Sequence, residues 1–460
     1  MAFSFSKIFT TDISHLTATH LLKHLQVCGI LNLLNYQQLM TECTTVTDHL
    51  PHTVMNKEHI CFYQRLFIAV FFQKSFRLVL PLLPYRQPEI ISSCRDLGAV
   101  LKKGNISSVL IVTDAGIVKN RLTLSLEESM QASSIKYVIY DKTQPNPTVN
   151  NVEEALALYH SAGCQAIVTI GGGSSMDCAK AVSARVAYPN RTVGQMKGVL
   201  RILRKTPLLV AVPTTAGTGS EVTLAAVITD SEKQDKYALM SFPLIPDYAV
   251  LDATLTYSLP PHLTSTTGMD ALTHAVEAYI GNSTTKETRQ LALEAVELVF
   301  NNIETAYAEG TNHQVRQNML LAAFKAGQAF SKSYVGYIHA IAHSLGGRYG
   351  IPHGLANAVI MPYVLDAYGE KACVKLHQLG IAAGVSPESD SPQEGAQKFI
   401  TAIRQLNKNM SIPDKLAGIL NEDIPSLAQH AEKEANSLYP VPVLMTAQQL
   451  EQIYYQVSDC

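Results

Sequence analysis

The chain lacks the features that mark a membrane protein, a nucleic-acid-binding protein or a disulfide-rich secreted protein. Its most apolar early run, Leu66–Phe72, is too short to cross a bilayer, and the N-terminus has no apolar core of a signal peptide. No run of basic residues offers an electrostatic footprint for nucleic acid. The eight cysteines are scattered without a Cys-x-x-Cys pair, which favours reduced thiols and a cytoplasmic location.

The remaining composition is that of a globular enzyme or binding protein. The chain has 460 residues, of which 47% are apolar and 16% are charged, and its formal net charge is −2. This length exceeds what one ordinary hydrophobic core contains, so two or three domains are expected.

Apolar runs typical of buried strands alternate with helical stretches over residues 81–260. Ser107–Gly116 and Ile135–Asp141 are apolar runs that end in turns, and Val152–Gly163 is an amphipathic stretch with a glycine stop. This alternation predicts an α/β domain with an open parallel sheet. Long helical stretches follow and predict an all-helical domain over residues 261–460. Residues 1–80 are predicted to form a helical N-terminal extension without a chemical motif.

Two loops rich in glycine and hydroxyl groups follow predicted strands. Ile170–Lys180 (IGGGSSMDCAK) places three glycines before a helix, whose N-terminus offers free amides to a phosphate. Pro213–Glu221 (PTTAGTGSE) is the second loop, and two such loops at strand ends form the crevice in which α/β sheets bind ligands. Asp114 follows the first strand, where it would bond a ribose hydroxyl and favour NAD over NADP; a plain turn aspartate is the alternative.

A carboxylate and several imidazoles recur at helical spacing within otherwise apolar stretches of sequence. Asp270 and His274 are four residues apart, as are His339 and His343, and His353 directly follows a proline. Residues four apart share one helix face, so two such pairs on two helices can converge. Together these side chains suit Fe(II) or Zn(II) with a position left open for substrate. For each histidine taken singly, the alternative is a structural residue whose ring nitrogens are hydrogen-bonded within the protein.

Five stretches, taken in order, resemble the iron-containing (group III) alcohol dehydrogenase family. They are GGGSSMDCAK, VPTTAGTGSEVT, SLPPHLTSTTGMDALTHAVEAY, HAIAHSLGG and IPHGLANA, within residues 86–450. The resemblance implies a Rossmann-like dinucleotide-binding α/β domain, an all-helical metal-binding domain of the dehydroquinate synthase-like fold, and a cleft between them. It also implies a metal-dependent oxidoreductase that transfers a hydride between NAD(P) and an alcohol, or the matching aldehyde or ketone.

The same resemblance assigns roles to individual residues. It implies Fe(II) or Zn(II) bound by Asp270, His274, His339 and His353. It places His343 by the nicotinamide, where we expect it to act catalytically by passing a proton. NAD is favoured over NADP, and the expected cofactor residues are Asp114, Asn146, Gly172, Gly173, Ser174, Asp177, Thr214, Thr215, Thr218 and Lys236. The expected partners are a small alcohol or aldehyde and further copies of the chain in a homodimer or larger homo-oligomer.

Two features depart from the family. Residues 1–80 are additional to the usual start of its members. Lys332 and Tyr334 stand where members acting on small diols often have Asn and small residues, in a segment that lies near the pocket in the family. A cation at Lys332 would favour an anionic substrate, and a bulky Tyr334 would change which alcohol fits.

Two other functions are alternatives to the dehydrogenase hypothesis. A non-redox lyase of the dehydroquinate synthase type would also use NAD and a metal, but it needs many cations to hold a phosphate, and the helical motifs do not supply them. A non-catalytic protein that binds NAD or metal is the second alternative, and the intact set of four ligands argues against it.

Overall fold

The computed structural model describes residues 83–232 and 235–459, in which a parallel sheet precedes a set of long helices. The predicted helical extension over residues 1–80 lies outside the described residues. The described strands are β1 (Glu89–Ile91), β2 (Ser108–Val112), β3 (Lys136–Tyr140), β4 (Ala166–Gly171), β5 (Gly198–Val199), β6 (Leu208–Pro213), β7 (Ala225–Asp230), β8 (Asp235–Met240) and β9 (Tyr248–Val250).

Six of these strands form one sheet in the order β1-β9-β6-β4-β2-β3. Every neighbouring pair in it is parallel. A smaller sheet, β5-β8-β7, has one parallel and one antiparallel pair. Residues of β2 and β4 are buried throughout, as expected of central strands covered on both faces.

Helices cover the two faces of the large sheet. The described helices of this half are α1 (Cys94–Lys103), α2 (Ala115–Lys119), α3 (Leu124–Ala132), α4 (Val149–Ser161) and α5 (Gly173–Ala187). Side chains of β2 alternate between the faces, so Val109 and Ile111 pack with α1 and α3, whereas Leu110 and Val112 pack with α4 and α5. The hydrophobic pattern of one short strand thus contributes to two cores.

The second half consists of helices around one buried helix. Its helices are α6 (Pro261–Ile280), α7 (Lys286–Ala308), α8 (His313–Ser333), α9 (Tyr337–Tyr349), α10 (His353–Tyr368), α11 (Glu370–Ala382), α12 (Pro392–Asn409), α13 (Ile424–Leu438) and α14 (Ala447–Val457). Every residue of α6 from Gly268 to Ile280 is buried. Polar side chains on this stretch therefore need partners inside the protein.

The two halves meet where the loop after β6 touches α8. Gly219 has a φ of 60°, and a Cβ at Gly327 would lie 2.6 Å from Val222 Cγ2 and 2.9 Å from the Gly219 carbonyl oxygen. The backbones therefore approach without a side chain between them. This contact brings a strand-end loop of the sheet against the helical half.

The predicted fold class is confirmed: an α/β half with a parallel sheet precedes an all-helical half. The last described strand ends at Val250 and α6 begins at Pro261, while the predicted domain limits at residues 81, 260 and 261 stay predictions. Across the described ranges, every helix is too short or too polar to span a membrane.

We predict that Gly327→Ala destabilises the protein although alanine favours helices. The added methyl group would collide with the Gly219 backbone, and such overpacking typically lowers the free energy of unfolding by about 1–3 kcal/mol. Gly347→Ala is the matched control, because a Cβ at this helical glycine would meet nothing within 4 Å. It should be neutral or stabilising by up to about 1 kcal/mol. Urea unfolding of both variants provides the measurement, and equal midpoints would contradict the close contact.

Candidate metal and dinucleotide site

Three of the predicted metal ligands converge from three helices. Asp270 lies on α6, His339 on α9 and His353 at the first position of α10. Their ligand atoms all lie within 4.8 Å of one another. Asp270 Oδ1 is 3.4 Å from His353 Nε2 and 3.8 Å from His339 Nε2. A carboxylate and two imidazoles thus face one position.

The start of α10 reaches Asp270 because it packs directly on α6. A Cβ at Gly354 would lie only 2.4 Å from the Thr266 carbonyl oxygen, so a residue with a side chain would push the helices apart. Glycine at this point permits the close approach that brings His353 to the cluster.

His274 lies beside these three residues and is buried. Its ring stacks on His339 with centroids 4.5 Å apart and on Phe330 with centroids 4.1 Å apart. Burial lowers the pKa of His274, against the opposing effects of Asp270 and the Gly217 backbone. Burial also lowers the pKa of His339 well below its usual value. Both rings are therefore neutral near pH 7, as a metal ligand requires.

The amide of Asn357 shows that the cluster fits a cation. Its Nδ2 lies 2.7 Å from Asp270 Oδ1, 3.3 Å from His339 Nε2 and 3.2 Å from His353 Nε2. One carboxylate oxygen and two ring nitrogens therefore surround a single amide nitrogen. Carboxylate oxygen and imidazole nitrogen are the ligand atoms that suit Fe(II) and Zn(II).

Glu277 fixes the orientation of His339. Its carboxylate accepts hydrogen bonds from the N–H groups of Gly336 at 2.8 Å and Ile338 at 2.7 Å, and from His339 Nδ1 at 2.6 Å. Burial raises the pKa of Glu277, whereas the hydrogen bonds that it accepts from Gly336, Ile338 and His339 oppose this rise by stabilising the ionised form. A proton held on Nδ1 leaves the Nε2 lone pair directed at the cluster, the arrangement common at protein metal sites.

His343 lies at the edge of this cluster, and 44% of its side chain is exposed. Its ring stacks on His353 with centroids 5.3 Å apart. Its Nδ1 is 2.7 Å from Glu434 Oε1, which also accepts a 2.7 Å hydrogen bond from the Tyr439 hydroxyl. Glu434 comes from α13, so the sequence around His343 carries no signal for this partner.

The two predicted phosphate loops lie side by side at the carboxyl ends of β4 and β6. Gly171 and Pro213 are paired in the sheet, and Thr214 N donates to the Gly171 carbonyl at 3.0 Å. A Cβ at Gly172 would lie 3.8 Å from Thr215 Oγ1, and one at Gly173 would lie 3.2 Å from Thr218 Cγ2. Gly173 and Ser174 form the first turn of α5, where backbone N–H groups are free to bind an anion.

The remaining predicted cofactor residues are Asp114, Asn146, Asp177 and Lys236. Asp114 Oδ1 caps α2, and its Oδ2 is 3.5 Å from Ser175 Oγ in the glycine loop. Lys236 Nζ donates to Asn146 Oδ1 at 2.7 Å. Asp177 points inward instead, because its oxygens accept from Ser220 Oγ at 3.2 Å and from Val227 N at 3.0 Å.

Two family models match the two halves of the chain. The description "Iron-containing alcohol dehydrogenase" matches residues 91–253, and "Fe-containing alcohol dehydrogenase family, C-terminal" matches residues 264–458. The chain belongs to the iron-containing alcohol dehydrogenase family. The predicted family membership is thereby confirmed.

Individual family members cover most of the chain. Alcohol dehydrogenase 4 of Saccharomyces cerevisiae is 37% identical over 354 residues, covering 76% of this chain and 91% of that protein. The 1,3-propanediol dehydrogenase of Klebsiella pneumoniae is 37% identical over 332 residues, covering 71% and 86%. A solved 1,3-propanediol oxidoreductase is similar with a TM-score of 0.78 at 34% identity, covering 81% of this chain and 99% of that one.

Membership in the iron-containing alcohol dehydrogenase family confirms the predicted function class. The protein is a metal-dependent oxidoreductase that transfers a hydride between a nicotinamide cofactor and an alcohol, or the matching aldehyde or ketone. The matches do not favour the lyase or the non-catalytic alternative.

Sequence reasoning missed two buried side chains of the metal cluster, although a local signal existed for both. Glu277 follows Asp270 by seven residues and His274 by three, so it shares their helix face. Asn357 follows His353 by four residues and shares its face in the same way. Extending the helical spacing beyond the histidines would have found both.

The Lys332 side chain is already paired. Its Nζ lies 2.6 Å from Glu287 Oε1 and 5.8 Å above the ring centroid of Tyr85. Its charge is therefore balanced within the protein, which gives no support to an anionic substrate.

We predict that Glu277→Gln weakens metal binding. The amide would disturb the hydrogen bond to His339 Nδ1, and loss of such a partner typically lowers metal affinity by about 10–100-fold. The measurement is metal retained during titration with a chelator, followed by elemental analysis. Glu294→Gln is the control, because Glu294 forms an ion pair with Lys325 on α8 outside the cluster. Unchanged retention in Glu277→Gln would show that His339 needs no carboxylate partner.

Proposed function

We propose that the protein oxidises a small uncharged alcohol with NAD, using Fe(II) or Zn(II), and catalyses the reverse reduction of the carbonyl compound. The observation that carries this proposal is the convergence of Asp270 Oδ1, His339 Nε2 and His353 Nε2 on the amide of Asn357. Helix α6, which bears Asp270, is in contact with the loop after β6, because a Cβ at Gly217 would lie 2.7 Å from the Thr267 carbonyl oxygen; this supports transfer between a bound alcohol and a bound dinucleotide.

In this proposal, the residues of the chain bind the metal ion and the dinucleotide and orient the substrate. Asp270, His274, His339 and His353 would hold the divalent ion, which supplies a Lewis acid that polarises the substrate oxygen. The glycine loop and the first turn of α5 bind the pyrophosphate of the dinucleotide, whose nicotinamide exchanges the hydride. The protein sets the distance between the two reactants and excludes water from them.

His343 is the proposed catalytic residue for proton transfer. Its partly exposed ring stacks on His353, and Glu434 holds its Nδ1. This leaves Nε2 to exchange a proton between the substrate hydroxyl and solvent.

Asp114 supports NAD as the proposed cofactor rather than NADP. One carboxylate oxygen caps α2 and the other faces the glycine loop. A negative charge there would bond a ribose hydroxyl and repel a 2′-phosphate.

A cytoplasmic location and a homodimer or larger homo-oligomer complete the proposal. Cys94, Cys164, Cys178 and Cys373 are unpaired thiols, which supports a reducing compartment. The oligomeric state follows from the family resemblance alone.

We predict NADH formation only with the metal site intact. Anaerobically purified protein loaded with Fe(II) or Zn(II) should raise the absorbance at 340 nm with NAD and a panel of primary alcohols. Asp270→Asn should lower the rate at least ~100-fold, because it removes the anionic ligand of the ion. Asp366→Asn is the matched control, since Asp366 pairs with Arg404 at the surface. Absence of activity with every alcohol and both metals would refute the proposal.

We predict that Asp114→Ser relaxes the cofactor preference. Serine keeps an oxygen that can cap α2 but removes the charge, so kcat/KM for NADP relative to NAD should rise at least ~10-fold. Asp96→Ser on α1 is the control. An unchanged ratio would mean that Asp114 does not contact the ribose.

A further inference from the structure

Lys180 ends the glycine-rich stretch of the sequence, yet the metal cluster and the predicted dinucleotide contacts make no use of it. It lies on α5, seven residues after Gly173, and only 1% of its surface is exposed. A lysine is rarely buried this completely unless its ammonium group is paired or hydrogen-bonded. The partners of this group therefore indicate what the residue does.

The acceptors around the ammonium group of Lys180 come from one segment, which runs from the end of the loop after β6 into the first residue of β7. Nζ lies 2.7 Å from the carbonyl oxygen and 3.0 Å from Oγ of Ser220. It lies 2.9 Å from both Thr223 Oγ1 and the Ala225 carbonyl oxygen. An ammonium group has three N–H donors, so these four acceptors engage all of them.

A lysine close to a glycine loop raises the possibility of direct contact with a phosphate, as in P-loop proteins. In this protein the Lys180 ammonium group is enclosed, and its donors are engaged by the protein itself. The structure therefore favours an action on the loop after β6 rather than on the dinucleotide.

Ser220 connects Lys180 to the face of the glycine loop. Its N–H donates to Thr218 Oγ1 at 3.3 Å, and Thr218 Cγ2 would lie 3.2 Å from a Cβ at Gly173. Its hydroxyl also donates to Asp177 Oδ1 at 3.2 Å, on α5 one turn before Lys180. The loop after β6 is thus tied to the helix whose first turn is the candidate phosphate site.

The backbone of this loop needs such an anchor. Gly217 and Gly219 lie within it, and Gly219 has a φ of 60°. Glycine permits many backbone conformations, so the shape of the loop depends on the contacts that its neighbouring side chains make. Lys180 gathers three residues that follow these glycines around one charge.

We propose that Lys180 is a positioning residue for the dinucleotide, which fixes the loop after β6 against the first turn of α5 without touching the cofactor. This inference rests on the proposed function, in which these loops bind the pyrophosphate. Loss of the ammonium group weakens dinucleotide binding, because the two loops no longer hold their spacing. The metal ligands lie on α6, α9 and α10 and stay in place.

The test measures binding of NADH to the metal-loaded, full-length protein by the fluorescence of the nucleotide, without alcohol present. Lys180→Met keeps an unbranched side chain but removes the charge and its donors. The Kd for NADH should rise at least ~10-fold, because buried acceptors are left unpaired. Ser220→Ala removes the hydroxyl between Lys180 and Asp177, and the Kd should rise at least ~3-fold.

The helical half offers matched controls for both variants. Lys398 Nζ and Ser386 Oγ each lie 2.7 Å from Asp390 Oδ2, so they repeat a lysine and a serine beside one aspartate. Lys398→Met and Ser386→Ala should leave the Kd for NADH unchanged.

Steady-state kinetics and metal content separate positioning from general damage. In Lys180→Met and Ser220→Ala, KM for NAD should rise with the Kd, while kcat at saturating NAD stays within ~2-fold of the wild-type value. Metal per chain, measured by elemental analysis, should equal that of the wild type. A general loss of structure would lower kcat and metal content as well, and that result would overturn the inference.

An unchanged Kd in either variant would also overturn it. If only Lys180→Met bound NADH more weakly, the ammonium group would act on the dinucleotide directly and not through Ser220. If Lys180→Met does not fold, Ser220→Ala decides alone, since a raised Kd supports the inference and an unchanged one overturns it. A wild-type protein that binds NADH but oxidises no alcohol would instead refute the proposed function, and the comparison of Kd values would still stand.

Discussion

The metal cluster depends on one carboxylate deep in the helical half. Glu277 accepts hydrogen bonds from the backbone at the start of α9 and from the ring of His339. Since α6 is buried along this stretch, the carboxylate has no water to replace these donors. Satisfying Glu277 therefore forces α9 to begin where it does, and His339 then points at Asp270. Function and burial impose the same geometry here.

A buried lysine does comparable work on the nucleotide side. Lys180 Nζ lies within hydrogen-bonding distance of four acceptors, among which its three N–H groups are shared: the Ser220 carbonyl at 2.7 Å, Ser220 Oγ at 3.0 Å, Thr223 Oγ1 at 2.9 Å and the Ala225 carbonyl at 2.9 Å. It ties the end of the hydroxyl-rich loop to α5, the helix that begins in the glycine loop. Burial lowers the pKa of Lys180 to about 8, against the attraction of Asp177 and Glu221. An internal charge thus holds both loops as one unit.

Local pattern was enough to predict the fold class and to single out candidate ligands, and the family resemblance chose among them, but neither predicted the partners of these side chains. Helical spacing indicates that Asp270 and His274 share a helix face, and continuous apolar runs predict the central strands of the large sheet. The pairing of His343 with Glu434 joins segments 91 residues apart, for which spacing has no information. Likewise, spacing does not predict the φ of 64° at Tyr334, and the inward turn of Asp177 depends on Ser220 and Val227.

The ligands reside on three separate helices, and this has a consequence for assembly. Asp270 is made long before His339 and His353, so no partial chain ending before α10 can present the complete set. A divalent ion held there would act as a cross-link among α6, α9 and α10, linking folding of the core to metal supply. Removal of the metal would then first weaken the packing among these three helices, while the individual helices and the parallel sheet stay folded.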